Sequence, residues 1–183
     1  MLDDASGRIE HRPDFLAADL ALRWFGELHA GIPWRSERRL MYERELDVPR
    51  LLASYRLDDP GLPGPLAAAA EMVGEALAVP FNSVGLNLYR DGKDSVAPHN
   101  DRLAELVDGQ PIALLSLGAT RTMTIRQKQP PRNAMQLDLV AGSLLVMDYV
   151  SQIHYDHGIP KERVKLGPRI SLAFRVRRVL EVQ

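Results

Sequence analysis

The 183 residues carry 23 Lys and Arg against 24 Asp and Glu, a net charge of -1, with 45% hydrophobic and 26% charged residues. That balance fits one globular domain over 1–183 and excludes a disordered chain or a uniformly basic nucleic-acid coat. With no cysteine, disulfides, thiolate metal sites and thiol nucleophiles are excluded together. The opening residues lack a cationic start followed by an apolar run, and no stretch approaches the roughly 20 apolar residues of a membrane span. The expectation is a cytoplasmic, monomeric chain without a membrane partner.

In chain order, residues 14–30 place Leu20, Trp24 and Leu28 at i, i+4 and i+8. Pro13-Asp14 offers a cap, and Gly31 with Pro33 ends the helix. Pro60-Gly61-Leu62-Pro63-Gly64-Pro65 breaks the chain before an Ala-rich helix from Leu66 to Leu77. After Phe81 the pattern turns to strands: Val84–Tyr89, Ile112–Leu117, Arg121–Gln127, Met135–Val140, Ser143–Met147 and Ile170–Arg177. Turn signals stand at Asp91-Gly92, Pro130-Pro131 and Ala141-Gly142. A helical first part followed by six or more short strands predicts an α+β, mainly β chain: a jelly roll (double-stranded β-helix) buttressed by N-terminal helices.

Two clusters carry candidate chemistry, His99-Asn100-Asp101 and His154-Tyr155-Asp156-His157. In a strand, i and i+2 share a face, so His99 and Asp101 can reach one ion. A distant His completes a facial set of two His and one carboxylate, which favours octahedral Fe(II) and leaves three positions open. A His-x-Asp pair alone is common by chance, and the i, i+3 spacing of His154 and His157 also suits a helix surface.

The order of the surrounding motifs carries more. Asn87-Leu88-Tyr89-Arg90-Asp91-Gly92 precedes the pair. Pro111-Ile112-Ala113-Leu114-Leu115-Ser116-Leu117-Gly118 and Gly142-Ser143-Leu144-Leu145-Val146-Met147 follow it. Then come His157-Gly158-Ile159-Pro160-Lys161 and Arg169-Ile170-Ser171-Leu172-Ala173-Phe174-Arg175. From about Leu46 to Val179, and more faintly back to Phe15, this series resembles the AlkB family of 2-oxoglutarate-dependent dealkylating dioxygenases, especially relatives that act on duplex DNA. The resemblance implies Fe(II) held by His99, Asp101 and His157, with His154 as a structural or rim residue. It implies 2-oxoglutarate held by Asn87, Tyr89 and Arg169, Arg175 bracing the metal carboxylate, and O2 as oxidant. The implied activity is oxidative demethylation of alkylated nucleic-acid bases, the direct reversal of DNA alkylation damage.

Three departures bear on substrate. Arg102-Leu103-Ala104 follows the iron-binding Asp where base-repairing relatives carry more acid. Pro49-Arg50 and Tyr55 match the family's substrate lid, but Arg56 to Gly64 is short and has no aromatic. Ser171 and Ala173 replace an Asn and a Thr of the family's final strand. Tyr42 stands where duplex-acting relatives place an intercalating aromatic, and Arg50 is a further substrate candidate. Weak hold on an extruded base favours single-stranded nucleic acid. Arg50, Arg126, Lys128, Arg132 and Lys161 are candidates for a phosphate-binding patch. A hydroxylase of a protein side chain or small metabolite is the competing enzyme reading, and a non-catalytic jelly-roll binding module is the third.

Overall fold

The computed structural model describes residues 2–41 and 44–178, with 38–41 and 44–47 described by their backbone alone. In chain order the elements are β1 (Leu2–Asp4), β2 (Gly7–Arg12), α1 (Ala18–Gly31), β3 (Arg35–Met41), β4 (Arg44–Arg56), α2 (Gly64–Leu77), β5 (Ser83–Tyr89) and β6 (Val96–His99). After a 3-10 turn at Leu103–Glu105 come β7 (Ile112–Gly118), β8 (Arg121–Gln127), β9 (Ala134–Leu139), β10 (Leu144–Met147), α3 (Tyr149–His154), β11 (Tyr155–Ile159) and β12 (Arg169–Arg175). An eight-stranded sheet, β1-β2-β10-β7-β12-β5-β4-β3, faces a four-stranded one, β6-β11-β8-β9. This is the expected jelly roll with its two helices.

Period-two alternation decides which residues meet. On β5, β7 and β12 one set of side chains (Val84, Leu86 and Leu88; Ala113, Leu115 and Leu117; Ile170, Leu172 and Phe174) packs against Trp24 and Leu28 of α1 and Leu66, Ala69 and Val73 of α2. Each Leu or Phe fully buried there contributes about 1.5–3 kcal/mol. The intervening residues face the small sheet, and the apolar ones among them, Tyr89, Ile112, Leu114 and Ala173, join a second cluster with Met123, Ile125 and Leu139. Polar residues of that set line the space between the sheets. Among the described residues no helix is long and apolar enough to cross a membrane.

The first part of the chain is not simply helical. β1 and β2 extend the large sheet through β10, and β3 and β4 extend it through β5. β2 and β4 are held by ladders to strands far along the chain and β1 and β3 by their neighbours β2 and β4, and charged stretches such as Arg35–Met41 show no apolar alternation from which to read them. α1 also starts at Ala18, four residues later than Pro13-Asp14 suggested. The Leu16 N–H donates to Gly142 O at 3.0 Å instead, tying residues 14–17 to the β9–β10 turn.

Candidate active site

The inner face of the large sheet supplies one half of the site. On β12, Arg169 lies opposite Tyr89 of β5, and Ser171 lies between Asn87 of β5 and Ser116 of β7. Arg175, six residues after Arg169, shares that face. Gly85 of β5 leaves it room: a Cβ there would stand 3.2 Å from Arg175 Nη1.

The small sheet supplies the other half. β11 pairs antiparallel with β6, which sets His157 across from His99. Their rings stand 4.6 Å apart. The strands approach so closely that a Cβ on Gly158 would sit 2.9 Å from Val96 O. Asp101 lies beyond the end of β6, so strand alternation is not what aims it. The Gln152 side chain of α3 accepts the Asp101 N–H at 3.2 Å, and Arg175 grips its carboxylate through Nε and, at 3.2 Å, Nη2. The ligand atoms of His99, Asp101 and His157 then lie within 4.8 Å of one another.

The protonation states suit a cation. His99 Nδ1 donates to Ala97 O at 2.9 Å, the tautomer that leaves Nε2 bare for a metal. Burial, reinforced by the neighbouring His99, pushes His157 down to about 3. Burial alone raises the Asp101 carboxyl, but the Arg175 guanidinium outweighs it and holds the group below the usual carboxylate range. An uncharged His157 and an ionised Asp101, with the His99 imidazole beside them, make up the two-His, one-carboxylate donor set that Fe(II) takes with open positions.

Beside it is a place for an anion. Arg169 is 1% exposed. Its Nη2 donates to Ser116 Oγ at 2.9 Å, while Nε and Nη1 are buried with no hydrogen-bond partner among the described residues. Burial, with Arg121 adding like charge, pushes it down to about 10. Its Cζ stands 5.3 Å from the Tyr89 ring centroid, and burial pushes the Tyr89 phenol up. A buried cation with two idle donors is costly until an anion fills both, and a carboxylate fits that fork. The residues present therefore fit a metal and a carboxylate co-substrate between the two sheets.

Residues 8–175 match the family model described as the 2OG-Fe(II) oxygenase superfamily. The chain belongs to this superfamily. Its cofactors are those of the family: Fe(II), 2-oxoglutarate as co-substrate, and O2. Relatives of this oxygenase are AlkB homologues. The DNA oxidative demethylase ALKBH2 of Bos taurus is 35% identical over 149 residues, 70% of this chain and 53% of that protein. The alpha-ketoglutarate-dependent dioxygenase alkB homolog 3 of Bos taurus is 32% identical over 182 residues, 89% of this chain and 64% of that one. The chain thus spans between half and two thirds of these relatives' own length. Among solved structures, that of OsALKBH1 superposes with a TM-score of 0.65 at 15% identity, over 91% of this chain and 97% of that one, a likeness of fold.

The other expected residues are placed differently. His154 closes α3 and stands outside the three-residue cluster. Tyr42 lies outside the described residues. Arg50 is half-buried and turned inward, donating to Asn87 Oδ1 at 2.7 Å and to Ser95 O at 3.3 Å, so it braces Asn87 rather than offering itself to phosphate. Lys128 is likewise committed to Gln152 O at 2.7 Å, and Arg126 pairs with Asp156 at 2.9 Å. Ser116 and Gln152 escaped the sequence reading. Ser116 alone carried a signal, as the one hydroxyl inside the apolar run Ile112–Leu117.

Proposed function

We propose that this oxygenase carries out oxidative demethylation of alkylated nucleic-acid bases, with His99, Asp101 and His157 holding Fe(II) and Asn87, Tyr89 and Arg169 holding 2-oxoglutarate. One domain over 1–183 would contain the whole site, since both hydrophobic clusters share the large sheet. The observation that carries the reading is the buried Arg169, with two idle donors, on the large-sheet face from which Arg175 reaches the His-Asp-His cluster of the small sheet. When bound, the metal with 2-oxoglutarate and O2 supplies the oxidation that hydroxylates an N-alkyl carbon, after which the product sheds an aldehyde and frees the nitrogen.

The chain's own residues do the positioning. Arg169 takes the distal carboxylate of 2-oxoglutarate as a bidentate partner, which sets the distance of its 2-oxo end from the metal. Arg175 keeps Asp101 ionised and oriented. Arg50 orients the Asn87 amide. The apolar wall of Ile112, Leu114 and Met123 excludes water.

The nucleic-acid reading rests on the AlkB relatives and on local charge. Lys93, Lys161, Arg163 and Lys165 line an open cleft of roughly 630 Å3 with Asp91 and Glu162. That is a basic surface in a chain of net charge -1, where phosphate contacts need a local patch. The lid segment after Tyr55 is a tight turn, with Leu62 N–H bonded to Asp59 O at 3.0 Å, and it offers no aromatic to stack on an extruded base. Single-stranded substrates are therefore preferred, since extrusion from a duplex costs a few kcal/mol. The same aromatic-free turn favours, as the second reading, a hydroxylase of a protein side chain or small metabolite. Repair of alkylation damage by a cytoplasmic monomer is the biological role that follows, and the absence of cysteine is consistent with a reducing compartment.

The deciding experiment is formaldehyde release from matched single-stranded and duplex oligonucleotides carrying 1-methyladenine or 3-methylcytosine. Release, faster on the single strand, is expected. Consumption of 2-oxoglutarate with no turnover of any nucleic acid would shift the reading to the second hydroxylase class.

A further inference from the structure

Arg121 opens β8 and is 1% exposed. Its guanidinium donates to Glu162 Oε1 at 3.2 Å, to Asp91 O at 3.0 Å, and through Nη2 to Asp94 O at 2.9 Å and Pro160 O at 2.8 Å. Asp94 lies two residues before β6, the strand of His99, and Pro160 directly follows β11, the strand of His157. One side chain thus fastens the outer ends of both strands that carry metal-cluster histidines. Its Cζ also lies 5.5 Å from the Tyr89 ring centroid, where Arg169 stands at 5.3 Å. Two buried guanidiniums therefore stand against one phenol ring. Glu162 is the only carboxylate among the four groups that Arg121 donates to.

A purely structural cation in that place has little reason to stand so close to a second one, since buried like charges repel. Contact with Tyr89 accounts for the arrangement: Arg121 holds the ring so that it stays fixed beside Arg169. We infer that Arg121 is a positioning residue for the co-substrate pocket, acting on 2-oxoglutarate through Tyr89, with its four bonds to the neighbouring loops holding it in place to do so. This rests on the reading that Tyr89 and Arg169 bind 2-oxoglutarate.

The test is anaerobic calorimetry of 2-oxoglutarate binding to the Fe(II)-loaded protein, paired with steady-state kinetics. Arg121→Lys keeps the charge and loses the fourfold anchorage. Its dissociation constant for 2-oxoglutarate should rise roughly 10–100-fold, the range for supporting groups around such sites. KM for 2-oxoglutarate should rise in step, and kcat at saturation should fall far less. In a Tyr89→Leu background the same substitution should cost less than ~3-fold, because the element it acts through is gone. Equal costs in both backgrounds would overturn the inference. So would unchanged 2-oxoglutarate affinity in Arg121→Lys. Glu162→Asp serves if Arg121→Lys does not fold. It preserves the charge and withdraws the carboxylate from Arg121, so a loss of roughly 2–5-fold is expected, and no loss counts against the proposal. Arg169→Ala separates the two levels: if it leaves 2-oxoglutarate affinity intact, the pocket assignment itself is wrong, whatever Arg121 does.

Discussion

Arg175 closes on Asp101 from the last strand, its Nη2 3.2 Å from Oδ1 and its Nε on Oδ2, across 74 residues of chain. Arg175→Met leaves the proposed metal carboxylate buried without its cation. Fe(II) affinity should fall roughly 10–100-fold, followed anaerobically by the visible charge-transfer band formed with 2-oxoglutarate. Wild-type affinity in this variant would remove Arg175 from the support of the metal.

Arg169→Ala deletes both idle donors. Losing one side of a buried charged pair costs about 2–5 kcal/mol, so the half-saturating 2-oxoglutarate concentration should rise at least ~30-fold. Iron affinity should shift far less. Unaltered 2-oxoglutarate dependence would refute the pocket.

The two histidines three residues apart separate cleanly. His157, 6% exposed and in the cluster, should be indispensable: His157→Ala is expected to abolish turnover and metal binding. His154→Ala should retain most of both, because its side chain has no hydrogen bond among the described residues, while its backbone oxygen takes the Lys128 N–H at 2.9 Å. A dead His154→Ala enzyme that still folds would reverse the assignment.

Arg50 and the basic cleft should part company under salt. Arg50→Ala releases Asn87 and should raise KM for 2-oxoglutarate several-fold, leaving the salt dependence of oligonucleotide binding alone. Replacing Lys161, Arg163 and Lys165 together with Ala should weaken oligonucleotide binding and flatten that dependence, by about one unit of slope for each phosphate no longer neutralised. Fluorescence anisotropy across a salt series reads both. A flattened slope in Arg50→Ala would place Arg50 on the nucleic acid after all.

Asp94 gives the protein an acid limit. Burial pushes its carboxyl up, but bonds from the Arg90 side chain (2.8 and 2.9 Å) and N–H (2.9 Å) outweigh that and lower it. A folded pKa below the unfolded value of about 3.9 stabilises fully above that value. The contribution is lost as pH falls through the lowered folded value. Asp94→Asn should therefore cost about 1–3 kcal/mol at neutral pH, and the deficit should shrink below about pH 4. Urea unfolding across pH measures it; a deficit that stays constant into acid contradicts the linkage.

Much of this protein was legible along the chain. Arg121–Gln127 declares itself as a strand by alternation, and Ile112–Leu117 by a short, nearly continuous apolar run. The even spacing of Asn87 with Tyr89, and of Arg169 with Arg175, puts each pair on one sheet face by backbone geometry alone. Motif order then separated His157 from His154, which spacing had left open. Tertiary structure decided the rest. β2 and β4 owe their extended state to β10 and β5, far along the chain, and α1 begins only after Leu16, whose N–H is held by Gly142 O. Asp101 is aimed by Gln152 and Arg175 rather than by a strand. Arg50 and Lys128, which read as surface cations, turn inward because carbonyl and amide acceptors wait there. Arg121 could be read as an ordinary edge charge until four distant oxygens converged on it. Alternation depends only on the adjacent residue and is therefore written in the sequence. Hydrogen-bond partners depend on which strands lie side by side and in what register, and that exists only once the two sheets have closed on each other.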